Sequence, residues 1–265
     1  MILSSGNQSV TNLIQNIQMK TFRFVLLSVI FLLSASFLAA DGHKVSLNPK
    51  KVKAHNAKVS SVEYKGKKAL RAEISAEARE KIAAARAKIQ ASGARGPGAF
   101  EAARHDHLVV VGENFQNGTI ELEVAGEPAP GASGGARGFV GIAFRVQPDM
   151  KHYDCFYLRP TNGRANDQER RNHSAQYISH PEYPWYKLRS ETPSKYESYV
   201  DLQPATWTKV KVVVDGETAK LYVHGNEHPT IIVNDVKSGA DAKGAVALWF
   251  EGSTVAHYRN VSISH

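Results

Sequence analysis

The sequence predicts an all-β protein: a two-sheet antiparallel β-sandwich, with one amphipathic helix inserted. Two observations carry the prediction. About a dozen short segments alternate apolar and polar residues with period two and are separated by glycine, aspartate and proline turns. A single stretch, SAEAREKIAAARAKIQAS, breaks that period and repeats its apolar residues at helical spacing instead. Strands without alternating helices point to a sandwich and away from an α/β fold.

The N-terminus reads as a targeting segment. Met19, Lys20 and Arg23 open a basic stretch, Phe24 to Leu33 is apolar except for Ser28, and small residues lead to Leu38-Ala39-Ala40. This is the order of a secretory signal over about 19–40, with cleavage expected after Ala40. An uncleaved anchor is the alternative, because Phe24 to Ala40 is nearly long enough to span a bilayer. Residues 1–18 read as an upstream extension. Residues 41–265 are expected to form one domain, exported to the periplasm or beyond, with no transmembrane span once the signal is gone. The lone Cys155 excludes an intrachain disulfide, so the domain must rely on its apolar core.

Charge is uneven along the chain. Of a net +8, residues 41–95 carry 14 basic and 5 acidic side chains, whereas the rest of the domain holds 17 basic and 20 acidic. A basic front end on a mildly acidic body makes an anionic envelope surface a candidate partner through residues 44–95, although solvated lysines need no partner.

The elements follow in order. AKVSSVEY and KALRAEI form two strands around Lys65-Gly66. In the helix, expected over about 75–92, Ser75 is the N-cap and Glu77 lies in the first turn, while Ile74, Ala78, Ile82, Ala85 and Ile89 share a face. GARGPG ends it, and a brace on the sheet is favoured over a lid. GTIELEVAG sends Ile120, Leu122 and Val124 inward and Thr119, Glu121 and Glu123 outward. Residues 126–138 read as a flexible loop. TKVKVVVDG and ETAKLYVHG form a hairpin at Asp215-Gly216, with Val210, Val212, Val214, Leu221 and Val223 inward. GAVALWFEG and AHYRNVSIS complete the set.

Three strands carry an unusual second face. Opposite the Val140/Ile142/Phe144 row lie Gly141, Ala143, Arg145 and Gln147. Opposite Phe156 and Leu158 lie Tyr153, Cys155, Tyr157 and Arg159. Opposite Val246, Leu248 and Phe250 lie Ala245, Ala247, Trp249 and Glu251. Small residues beside arginine, aromatic rings and a carboxylate suit a concave surface that stacks on sugar C–H faces and pairs with hydroxyls. Truncating Arg159 or Trp249 is accordingly expected to weaken glycan binding and leave stability unchanged.

The order NFQNGTIELEVAG, RGFVGIAFRVQ, YDCFYLRP, QYISHPEYPW, WTKVKVVVDGETAKLYVHG and GAVALWF resembles exported bacterial concanavalin A-like domains of the 3-keto-disaccharide hydrolase group. More loosely it is similar to laminarinase-like sandwiches. The resemblance covers roughly 105–264 and, weakly, 52–74. It implies a jelly roll whose concave face handles an oligo- or polysaccharide. The laminarinase-type ExDxE or ExDxxE string is absent, because ELEVAGE lacks the aspartate, and retaining chemistry of that kind is not expected.

Other constellations are weaker. RHDHL places His105 and His107 on one side of a strand, but two local ligands do not make a metal site, and no metal or cofactor is expected; nothing indicates structural calcium. The polar, aromatic segment 161–191 reads as a loop long enough to be functional and holds Asn162, Asp167, Arg170, Arg171, His173, Gln176, Tyr177, His180, Tyr183, Trp185 and Tyr186. Expected ligand-binding residues are Arg145, Tyr157, Arg159, Gln176, Tyr177, Trp185, Trp249 and Glu251; Glu251, His180 and Asp167 are candidate acid–base groups. Export argues against nucleic acid. The reading is a glycan-binding module, with cleavage of a glycoside by hydrolysis or elimination left open. The alternative is an envelope interaction domain using the basic front end, with no sugar chemistry.

Overall fold

A computed structural model of the chain describes residues 42–102 and 106–265; the expected signal and the upstream extension lie outside them, as does His105. Fifteen strands and four helices are formed among the described residues. In chain order they are β1 (His43–Lys44), β2 (Lys53–His55), β3 (Ala57–Tyr64), β4 (Lys67–Ile74), α1 (Ala76–Ser92), α2 (Pro97–Ala102), β5 (His107–Phe115), β6 (Gly118–Pro128), β7 (Val140–Val146) and β8 (Tyr153–Leu158). They continue with α3 (Gln168–Asn172), β9 (Ala175–His180), α4 (Trp185–Glu191), β10 (Glu197–Ser198), β11 (Thr208–Asp215), β12 (Thr218–Val223), β13 (Ile231–Val233), β14 (Gly244–Phe250) and β15 (Thr254–Ser264).

The strands make two antiparallel sheets. The first has eight strands, in the order β13-β12-β11-β6-β15-β4-β3, with β1 added on β15; the second has seven, in the order β10-β9-β8-β7-β14-β5-β2. Neighbours far apart in sequence, such as β6 and β15 or β7 and β14, require long crossovers, as in a jelly roll. The predicted inward rows are inward. Ile120, Leu122 and Val124 are at most 3% exposed, and Val210, Val212, Val214, Leu221 and Val223 at most 5%. They pack in one core with Ile142, Phe144, Phe156 and Leu248 of the second sheet. At about 25 cal/mol per Å2 of apolar surface, such rows are the main stabilising term of the fold.

Helix α1 starts and stops where predicted. Ser75 Oγ accepts from the Ala78 backbone N–H at 3.1 Å, and Gly93 closes the helix in the left-handed conformation at φ 71°. Its apolar stripe is real but shallow, for Ala78 alone is buried and Ile82, Ala85 and Ile89 are half-buried.

Within β7 the alternation breaks. On β14 the register advances two residues, from Ala245 to Ala247, while the partner on β7 advances three, from Val146 to Ala143. The extra residue is a bulge, and Arg145 within it has φ 54°. A bulge reverses the parity of all that follows it, so Arg145 does not join Gly141 and Ala143. It is fully buried at the end of the sandwich. There its guanidinium donates to the carbonyls of Gln116 (3.0 Å), Gly216 (2.8 Å) and Gly239 (2.7 Å), to Ser238 Oγ (3.2 Å) and to Asn117 Oδ1 (3.3 Å). The expectation that Arg145 binds ligand is corrected: it ties three loops together.

Candidate functional site

The second sheet is buried on both faces along β7, β8 and β9. One face is the core. Over the other lies a cavity of about 610 Å3, within the roughly 300–1,000 Å3 usual for ligand sites.

Strand registers set its floor. Gly141 pairs with Trp249 on one side and Tyr157 on the other, and Tyr157 pairs with Gln176. Trp249 and Tyr157 therefore flank a strand on which position 141 carries no side chain, and their rings meet across it, stacked at 4.8 Å and 27°. A Cβ at 141 would sit 2.2 Å from the Phe156 carbonyl and 2.6 Å from Tyr157 Cβ, so only glycine fits. The next row is Ala247, Ala143, Cys155 and Ile178; beyond it Tyr153 pairs with His180. Cys155 is wholly buried.

The two ends of the floor differ. At one, the Trp249 indole N–H donates to the Tyr153 hydroxyl at 3.0 Å, and that hydroxyl donates in turn to Asp106. His180 packs beside Tyr153 with ring centres 5.4 Å apart. At the other, Arg159 is 5% exposed and donates to the His173 carbonyl (2.8 Å), the Tyr157 hydroxyl (2.7 Å) and Gln176 Oε1 (3.1 Å). Burial depresses the Arg159 pKa and pushes the Tyr157 phenol up to about 12. From Tyr153 to Arg159 the strand rise covers about 20 Å.

The walls come from connections. In α4, Arg189 lies over the Trp185 ring at 4.7 Å and holds Glu197 bidentately at 2.8 and 2.5 Å. Glu197 also lies 2.8 Å from His173 Nδ1. Burial holds the His173 imidazole below its usual range, against the opposing pull of Glu197. Arg137 and Phe139 arrive from the glycine-rich loop, Asn162 and Arg170 from the long segment, and Glu251 from the end of β14. Glu251 accepts from the Ser253 backbone N–H at 2.9 Å. Ile82 and Arg86 of α1, with Pro97, close one rim, so the helix favoured as a brace also borders the cavity.

Of the expected ligand-binding residues, Tyr157, Arg159, Trp185, Trp249 and Glu251 line this one cavity, as does His180. Gln176 lies on the same face but is wholly buried behind Arg159. Tyr177 is corrected: adjacent strand residues face opposite ways, and its hydroxyl donates to Asp154 at 2.5 Å on the core side. Asp167 is also corrected, because its carboxylate caps α3 through the Arg170 N–H at 3.1 Å. Arg137, Phe139 and Arg189 also line the cavity and were not anticipated. Among the described residues, no three His, Cys, Asp or Glu side chains converge as metal ligands.

Fold and cavity define the class: a two-sheet antiparallel β-sandwich with a lined cavity over one sheet. Residues 76–264 match the family described as the 3-keto-alpha-glucoside-1,2-lyase-like domain, and the chain belongs to that family. Comparison with curated proteins returns no match. Among solved structures, the carbohydrate-binding module CBM66 of Bacillus subtilis is similar at 12% identity, over 81% of this chain and 95% of that one, with a TM-score of 0.49. Domain 4 of AbnA, an extracellular arabinanase of Geobacillus stearothermophilus solved with arabinotriose, is similar at 13% identity, over 80% and 84%, with a TM-score of 0.38. Galectin LEC-6 of Caenorhabditis elegans gives 15% identity, over 61% and 92%, with a TM-score of 0.36. Likenesses at this level carry no functional information.

Proposed function

We propose that the protein is an exported glycan-binding domain that holds a sugar in the cavity over its seven-stranded sheet. The observation that carries the reading is the convergence there of Trp185, Trp249 and Tyr157 with Arg159, Asp106, His180 and Glu251. Rings supply C–H stacking surfaces, while guanidinium and carboxylate groups pair with hydroxyls. A glycan array probed with the purified protein tests it: binding that Trp185→Ala weakens while the melting temperature holds supports the cavity, and binding untouched by that change refutes it. The exposed lysines of β2, β3 and β4 favour an anionic envelope surface as a second contact.

A cleaving role is a second reading, favoured by Asp106, His180 and Glu251 lining the same cavity and by the family description. Incubation with α-glucosides oxidised at C3 tests it. Release of the aglycone that disappears in Asp106→Asn supports cleavage; intact substrate at every pH leaves a binding module.

A further inference from the structure

We propose that the sugar in this cavity is an acidic one, and that Arg137, Arg159 and Arg170 receive its anionic group; the inference rests on the glycan reading above. Five arginines line the cavity (Arg86, Arg137, Arg159, Arg170 and Arg189) against two carboxylates, Asp106 and Glu251. Arg189 is neutralised by Glu197, which it holds bidentately. The other three at this end are held by neutral acceptors. Arg159 spends its bonds on a carbonyl, a phenol and an amide, and Glu197, already taken by Arg189 and His173, stands 3.9 Å off. Arg137 donates to the carbonyls of Gly134 (2.6 Å) and Ala136 (3.1 Å). Arg170 donates to Asn162 Oδ1 at 3.4 Å, and its Nε is buried with no hydrogen-bond partner. A shared frame holds two of them close, for Arg159 and Asn162 both donate to the His173 carbonyl. Burial, with repulsion from Arg170 and Arg159, depresses the Arg137 pKa.

Arg159 is buried and Arg137 and Arg170 are half-buried, with only the shared Glu197 at 3.9 Å as counter-charge among the described residues. The cluster therefore carries a desolvation and repulsion penalty that an anion bound among them offsets. Forked N–H donors fit planar carboxylates and sulfate oxygens alike. The half-buried Phe139 ring lies 5.9 Å from the Arg159 guanidinium, so a sugar stacked on it places a substituent among the arginines. The arrangement thus selects a uronic acid or a sulfated sugar over a neutral one.

The test is calorimetric titration of the purified full chain with trisaccharides of galacturonic and glucuronic acid, their carboxyl-reduced counterparts, and a sulfated neutral trisaccharide. An acidic member should bind at least about tenfold more tightly than its neutral counterpart, with Arg170→Gln and Arg137→Gln each bringing that ratio to within about threefold. A preference confined to the uronic set identifies a carboxylate, and one confined to the sulfated set a sulfate ester. Acidic and neutral sugars binding alike would overturn the inference and leave the glycan reading standing. So would a preference that survives in both variants while they stay folded. Failure of every sugar, acidic or neutral, would sink both.

Discussion

Replacing Arg145 by methionine separates a structural arginine from a ligand-binding one. The change keeps a long apolar stem and removes five hydrogen bonds to Gln116, Asn117, Gly216, Ser238 and Gly239. Each orphaned buried acceptor costs about 1–3 kcal/mol, and breaking a buried charged network costs about 3–5 kcal/mol in total. Asn117 and Ser238 are exposed and Gln116 half-exposed, so water replaces some of the lost bonds and the low end, about 3 kcal/mol, applies. For a domain of this size about 2–4 °C is lost per kcal/mol, which puts the melting temperature about 6–12 °C lower. Scanning calorimetry measures the shift, and affinity for whichever glycan binds should stay within about twofold of wild type. An unchanged melting temperature would refute the loop-tying role. Lost affinity in a fully stable protein would return Arg145 to the sugar.

Three further outcomes are expected. Trp249→Ala should destabilise the domain by about 3–5 kcal/mol in urea unfolding as well as weaken binding, because the indole is only 6% exposed, stacked and hydrogen-bonded; this replaces the sequence-based expectation of unchanged stability. Cys155, wholly buried, should resist iodoacetamide in the native protein and react only after denaturation; native alkylation would show the sheet opens. His257 stacks on Tyr64 at 3.6 Å, and burial, reinforced by Arg71, lowers its pKa to about 4. Since the unfolded chain takes up that proton near pH 6.5, stability should fall as pH drops from about 6.5 towards 4, and His257→Phe should flatten that part of the profile.

Much of this was legible from alternation and turn chemistry alone. The pairing of Asp215 with Thr218 and of Tyr64 with Lys67 places both hairpins where their glycine turns predicted. The face carrying Tyr157, Arg159 and Trp249 was legible because β8 and β14 keep period two through those residues. Arg145 was misread because one inserted residue in β7 leaves no mark in composition. Strand β9 was hidden inside the polar, aromatic segment 161–191: it is buried on both faces, so polarity does not alternate along it. Tyr177 was misplaced for the same reason. Arg137 and Arg189 reach the cavity through tertiary contacts across long stretches of chain, which no local pattern encodes.

The paired rings above Gly141 have a consequence for how such a domain can diversify. The floor is dictated by strand register across β14, β7, β8 and β9, whereas the walls come from four separate pieces of chain around residues 82–97, 135–139, 162–173 and 185–189. Wall segments are therefore interchangeable parts on a fixed chassis. Grafting a different 129–138 loop would alter what enters the cavity while leaving the strand pairings of both sheets in place, so in this architecture selectivity is a property of the connections and foldability a property of the strands.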